Sequence, residues 1–225
     1  MDKRLAHQYD GFVDNFLKDH HKYNEDSRRY FYSRLEDSIK PGNKLLDVAC
    51  GDGKDLAYYS EKGAICFGID SSKELIKKAR INCPSADIAE GYMERLPYKD
   101  NSFDIVLSKW AMQSSNDIPK VIQEMHRVLK PEGIIAYLTV HPIRQFIEKK
   151  KHPKDYFKQE IVHSTFFQGN VTADEPSHTM TEYLSPFFLE HFKLLEYDER
   201  PDFPNVEQID GDNYPCYLFT KAKKR

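Results

Sequence analysis

Between residues 44 and 140 the chain alternates two textures, and this alternation constrains its fold more than any other feature. "KLLDVA" (44–49), "AICFGID" (64–70), "ADIAEG" (86–91), "FDIVLSK" (103–109) and "GIIAYLTV" (133–140) are short apolar runs of strand length. Helix-like segments lie between them. "DLAYYSEKG" closes on Gly63, the residue type that ends helices. "KELIKKARI" follows Ser71 and Ser72, either of which can cap it. "IPKVIQEMHRVLK" opens at Asp117 and is expected to stop at Pro131. Its apolar positions Ile118, Val121, Ile122, Met125, Val128 and Leu129 keep helical spacing. Strands alternating with helices predict an α/β protein with a mostly parallel sheet covered on both faces.

The flanks read differently. Residues 1–40 are expected to be helical, with Tyr9, Phe12, Phe16, Tyr23, Tyr30, Phe31 and Tyr32 spread through charged sequence, and Pro41-Gly42 marks the boundary. The main domain then spans 41–225. After Val140 periodicity is lost, and residues 141–180 are polar and rich in His and Lys. They are best treated as an insertion, counted as 141–185 with the turn that follows. "SPFFLEHF" predicts a short helix, and "KLLEYDE" and "PCYLFTKAK" two late strands.

Composition narrows the function classes. A hydrophobic fraction of 40%, a charged fraction of 31% and a formal net charge of -3 describe a globular protein with no global bias toward nucleic acid or membrane. No apolar stretch approaches the roughly 20 residues of a membrane span. No secretory signal is read, and the four cysteines show neither CxxC pairing nor metal-ligand spacing. The expected setting is the cytoplasm, with reduced thiols and no metal.

The chemistry concentrates in "LLDVACGDGKD" (45–55). A strand that ends in Gly51-x-Gly53 and enters a helix is expected to aim free backbone N–H groups at a ligand. Dinucleotides and S-adenosylmethionine are the two cofactor classes held this way. The dinucleotide fingerprint needs a third glycine where this chain has Leu56. Asp47 sits inside the first strand, where a plain core strand avoids a carboxylate. Asp70 ends the second strand, 23 residues later.

With "LPYKDNSFDIVLSKWAM" following at the spacing of later strands, these residues resemble the class I S-adenosylmethionine-dependent methyltransferases. The resemblance is closest to the small-molecule branch called methyltransferase type 11, and it covers residues 44–140. It implies a Rossmann-like, mostly parallel seven-stranded sheet with a helical N-terminal lid and a cap over the acceptor formed by residues 141–185. It assigns Asp47, Ala49, Cys50, Gly51 and Gly53 to the methionine and ribose part of the cofactor, Asp70 to the ribose hydroxyls and Ser71 to the adenine edge. In "GYMERLP" Tyr92 replaces the family's Asp, which leaves Met93 and Glu94 as the adenine-side positions, and Ser108 approaches the methionine end. "VHPI" (140–143) and "SHTMTEYLSPFF" (177–188) are similar to acceptor-side landmarks of one subgroup.

The function implied is methyl transfer from S-adenosylmethionine to oxygen or nitrogen of a small molecule, by in-line displacement in a dry site. His141 and His178 are the candidate bases. Tyr9 on the lid is placed to orient the acceptor or cover the sulfonium. Each has a plainer alternative as a loop or packing residue, as do Trp110 and Met112, which either line the acceptor pocket or belong to the core. Two other functions stay open. The segment 144–158, with six Lys or Arg against two acids, would serve an RNA methyltransferase. The chain would alternatively be a non-catalytic S-adenosylmethionine-binding protein.

Overall fold

The computed structural model describes residues 8–11, 13, 17, 24–166, 171–201 and 212–225. Phe12, Phe16 and Tyr23 of the expected lid lie outside the described residues.

Five strands, β1 (Lys44–Val48), β2 (Ile65–Asp70), β3 (Asp87–Glu90), β4 (Phe103–Lys109) and β5 (Leu129–Val140), run parallel to one another. Helices α1 (Glu25–Leu35), α2 (Lys54–Glu61), α3 (Lys73–Asn82) and α4 (Ile118–Val128) accompany them. Two late strands, β8 (Phe192–Arg200) and β9 (Tyr217–Lys224), complete a seven-stranded sheet of order β3-β2-β1-β4-β5-β9-β8, with β9 antiparallel to both neighbours. The order reverses direction between β1 and β4. A crevice therefore opens beyond the carboxyl ends of those strands, where ligands of open α/β sheets bind.

Two cores hold the layers. On one face Leu46, Val48, Val106 and Ile135 pack on Val121, Ile122 and Met125 of α4. On the other, Leu45, Leu107 and Phe219 pack with Phe31 of α1 and Leu56 and Tyr59 of α2. Each such fully buried apolar side chain contributes roughly 1.5–3 kcal/mol relative to exposure. The predicted caps form: Ser72 Oγ accepts from Leu75 N (3.2 Å) and Asp117 Oδ1 from Lys120 N (3.0 Å).

One boundary moves. Helix α4 ends at Val128, three residues before the expected stop at Pro131, and Pro131 lies inside β5. The β4 pairing jumps from Phe103–Leu129 to Ile105–Ile134, so Pro131 passes through an irregularity where its missing N–H costs no ladder bond.

The insertion after β5 contains regular structure that its polar sequence hides. Short helical turns at Pro142–Arg144 and Gln145–Lys149 lead to a two-stranded antiparallel hairpin, β6 (Ile161–Phe166) and β7 (Val171–Pro176). Its inward face carries Val162, Ser164, Ala173 and Glu175, all buried. Half of that face is polar, which erased the apolar alternation by which a strand is read. A capped turn at Met180–Tyr183 and helix α5 (Pro186–His191) return the chain to the sheet.

Candidate active site

The carboxyl ends of β1, β2 and β4 meet an open cleft of about 840 Å³, counting the solvent it holds. Asp47, Ala49, Cys50, Gly51, Asp70, Ser71 and Met93 line it, as does Tyr9 from a 3-10 turn at Gln8–Gly11. Ala49 and Trp110, the residues just past β1 and β4, both take left-handed backbone (φ 63° and 56°) although neither is glycine. Such strain, about 1–2 kcal/mol per residue, persists where surrounding structure enforces it, and it clusters at functional sites.

The glycine turn works differently from expectation. Its amides are used within the protein: Cys50 N donates to Ile69 O, Gly53 N to Cys50 O, and Gly51 N to Asp70 Oδ2 (2.8 Å). Gly51 (φ +56°) faces open space where a Cβ would meet nothing within 4 Å. Gly53 (φ +74°) does not line the cleft; a Cβ there would lie 2.9 Å from Cα and Cβ of Ala79. Its role is close packing of α2 on α3. Of the two glycines, only Gly51 borders the cleft.

Asp70 is more embedded than a ribose acceptor needs to be. It is buried, and besides Gly51 it accepts from Ser72 N through Oδ1 (2.9 Å). Burial raises its carboxyl above the ordinary range, and the backbone donors at Ser72, Gly51 and Ser71 oppose that shift. Asp47, 2% exposed, is pushed well above the usual carboxylate range by burial and by the charge of Asp55, against Lys109.

A charge cluster that the sequence reading passed over underlies the cleft. Asp55 accepts from Arg28 Nε (2.9 Å) and Tyr32 OH (2.6 Å) through Oδ1, and pairs with Lys109 Nζ (3.1 Å) through Oδ2. Burial pushes the Asp55 carboxyl up, but Lys109, Arg28 and Tyr32 together hold it well below its ordinary value. Arg28 keeps Nη1 buried with no hydrogen-bond partner, and it lines the cleft. Lys109 and Asp55 carried the same signal as Asp47, a charge beside buried strand sequence. Arg28 carried none, because its partner lies 27 residues away.

The histidines sit behind the cleft. His141 caps the turn after β5: its Nδ1 accepts from Ile143 N (3.0 Å), so Nε2 carries the proton and donates to Glu199 Oε1 (2.9 Å). Burial lowers its basicity, and Glu199 opposes that shift. His178 Nε2 donates to Gln113 O (3.0 Å), and Nδ1 meets Glu182 Oε1 (3.1 Å). Both rings are buried with both nitrogens engaged, and neither lines the cleft. Ser108 Oγ donates to Val48 O (2.8 Å) inside the sheet, and Glu94 Oε1 accepts from Ser115 Oγ (2.5 Å). Neither residue lines the cleft.

Tyr9 stands between the cofactor turn and the hairpin. Its hydroxyl is held above the ordinary phenol range by burial and then by the charge of Glu175, while a hydrogen bond with Ser114 opposes the shift. Glu175 Oε1 accepts from Gln145 Nε2 (3.1 Å), Lys149 Nζ (2.9 Å) and Ser164 Oγ (2.6 Å), a network that braces the wall beyond Tyr9.

The donor set fits S-adenosylmethionine. A buried guanidinium nitrogen that makes no hydrogen bond suits a carboxylate, Asp70 suits a diol, and a side pocket lined by Ala49, Ile69, Gly91, Tyr92 and Met93 suits a flat ring. Residues 46–137 match the methyltransferase domain family.

This stretch is a methyltransferase domain.

Among relatives of this domain, an uncharacterized methyltransferase of Synechocystis sp. is 37% identical over 106 residues, 46% of this chain and 50% of that protein. The demethylmenaquinone methyltransferase of Chlorobaculum tepidum is 38% identical over 130 residues, 57% of this chain and 52% of that protein. The chain thus spans about half the length of the curated relatives it matches. The fold extends further than the sequence likeness. A crystal structure of an S-adenosylmethionine dependent methyltransferase from Mesorhizobium loti superposes with a TM-score of 0.69 at 20% identity, covering 85% of this chain and 96% of that one. Among the described residues no helix is long and apolar enough to cross a membrane, and no cluster of metal-binding side chains occurs.

Proposed function

We propose that the chain transfers the methyl group of S-adenosylmethionine to a small-molecule acceptor held beneath Tyr9. The observation that carries the reading is that Arg28, whose buried Nη1 makes no hydrogen bond and only a 3.9 Å ion pair with Glu25, lines the same cleft as Asp70 and Gly51. When bound, the cofactor supplies an activated methyl together with its own leaving group. Arg28 takes the methionine carboxylate, Asp70 the ribose hydroxyls, and Met93 with Ala49 the adenine faces. Asp47 lies at the cofactor's cationic end. Tyr9 and Trp110 exclude water and align the acceptor, which can supply several kcal/mol of the barrier.

In this reading transfer relies on alignment, and His141 and His178 brace the acceptor wall instead of taking a proton. The basic segment supports a small molecule over RNA, because most of its charges are engaged within the protein, Lys151 apart. Arg144 pairs with Glu148, Lys149 with Glu175, and Lys158 with Glu160. Lys150 donates to Asp155 O and Lys158 O, and Lys154 to Ile147 O. Relatives named for methylating demethylmenaquinone and 2-phytyl-1,4-naphtoquinone make aromatic acceptors the first class to screen.

The test is calorimetry with S-adenosylhomocysteine and NAD, followed by incubation with labelled S-adenosylmethionine and a metabolite pool. Micromolar binding of the sulfur compound, none of NAD, and RNase-resistant label are expected. NAD binding alone, or tight cofactor binding without any turnover, would overturn the proposal. Arg28→Met should weaken S-adenosylhomocysteine by roughly 1.5–3 kcal/mol, the scale of a hydrogen bond to a charged group.

A further inference from the structure

The 3-10 turn Gln8–Gly11, whose Tyr9 lines the cleft, is tied to two different elements, β7 and the start of α3, by the residues on either side of Tyr9. Gln8 makes a two-point bond with the backbone of Asp174 in β7: Nε2 donates to Asp174 O (3.0 Å) and Oε1 accepts from Asp174 N (2.9 Å). A two-stranded hairpin leaves unpaired backbone groups along each outer edge, and the Gln8 amide satisfies one such position as a neighbouring strand would. At the other end Asp10 Oδ1 accepts from Ser72 Oγ (2.5 Å) and lies 3.4 Å from Glu74 N, at the start of α3. A carboxylate is favoured there by the helix dipole. Ser72 N donates to Asp70 Oδ1, so this tie ends on the turn that carries the ribose acceptor.

We infer that Gln8 and Asp10 are positioning residues that strap Tyr9 across the cleft, so that bound cofactor leaves only after a tie has broken. The inference rests on the reading of the cleft as an S-adenosylmethionine site. Each tie is a side-chain bond to one rigid element, and breaking it disturbs neither the β6–β7 ladder nor the Ser72 cap of α3. Opening these two bonds leaves both the hairpin ladder and the helix cap in place. Because the strap is released when either end is free, the two ties act as a unit.

The test has one arm without ligand and one with it. In the unliganded protein the Asp174 amide should exchange its hydrogen at least tenfold faster in Gln8→Ala than in wild type. In the second arm, stopped-flow displacement of S-adenosylhomocysteine is followed through Trp110, the sole tryptophan, which lines the cleft. Dissociation should rise roughly tenfold in Gln8→Ala and in Asp10→Ala, with association within about threefold, and the double variant should be no faster than either single one. Asp10→Asn keeps an oxygen for the Ser72 hydroxyl and should stay within about threefold of wild type. Unchanged Asp174 exchange overturns the strap. Altered exchange with unchanged dissociation overturns its control of release. Absence of S-adenosylhomocysteine binding to wild type overturns the cofactor reading, and release control with it, while the exchange arm still decides whether the strap exists.

Discussion

In the proposed reading the sheet end forms a cofactor wall, and the N-terminal turn with the insertion standing behind the cleft lining forms an acceptor wall; the two differ in how far along the chain their bonded partners lie. On the first, Asp70 reaches back 19 residues to Gly51 and forward two to Ser72. On the second, Gln8 and Asp174 are 166 residues apart, His178 and Gln113 are 65 apart, and Gln145 and His178 are 33 apart. The first wall is made by consecutive strand-turn-helix units of a continuous sheet. The second is assembled from an N-terminal turn, the loop after β4 and a two-stranded hairpin. Around Asp70 short separations make a local motif, whereas Asp55 draws Arg28 from 27 residues away. Long separations let the acceptor side vary while the sheet stays intact.

The largest effect tests whether the cofactor wall is part of the global fold. Asp55→Ala leaves Arg28 and Lys109 buried without their shared carboxylate, and breaking such a cluster costs about 3–5 kcal/mol. Urea unfolding should show that loss as one cooperative transition, and a loss below about 1 kcal/mol would remove the distinction between the walls. Glu175→Ala is the matching test opposite, since it strips Lys149, Gln145 and Ser164 of a common acceptor. About 3 kcal/mol of protection should disappear, confined to the hairpin in hydrogen exchange. If the whole sheet loses protection together, the acceptor wall is no less global than the other.

Asp70→Ala comes next, with an expected loss of about 1.5–3 kcal/mol in S-adenosylhomocysteine binding by calorimetry. Stability should also fall by about 1 kcal/mol, because Gly51 N and Ser72 N lose their acceptor. Unchanged affinity would take Asp70 out of the site.

The smallest effect comes from His126, which lines neither wall. Burial among Phe187 and Phe192, then the charges of Lys224 and His191, lower its pKa to about 4. The unfolded chain takes the proton first, so this contribution is complete above about pH 6.5 and is lost as pH falls toward about 4. Allowing for its partial exposure, about 1 kcal/mol is expected between those limits. His126→Phe should flatten that slope in pH-dependent melts and leave cofactor affinity untouched.

How much could be read from the sequence follows the same division. The strands and helices of residues 44–140 were legible because each shows its own period and its own cap, as at Ser72 and Asp117. Asp70 and Gly51 were legible as neighbours on one cleft because their spacing is the motif. Gly53 was read as a ligand contact because a sequence does not say which side of a turn is crowded, and the crowding comes from Ala79 on another helix. His141 and His178 were read as bases by residue type, whereas Ile143 N and Gln113 O decide what their nitrogens do. Arg28 was missed for the same reason. The hairpin was missed because Ser164 and Glu175 are polar on its buried face, bound there by partners that only folding supplies.

The position of β9 has a consequence for synthesis. It is the last strand in chain order, yet it lies between β5 and β8 and pairs with both. On the ribosome β8 therefore emerges with no place in the sheet, and its Leu194 and Leu195 wait beside an uncovered β5 edge until Tyr217–Lys224 arrives. A stalled or truncated nascent chain lacking that segment would expose two strand edges at once, the kind of surface that chaperones and aggregation compete for. Completion of this sheet thus waits on one eight-residue strand that follows in chain order both strands it joins.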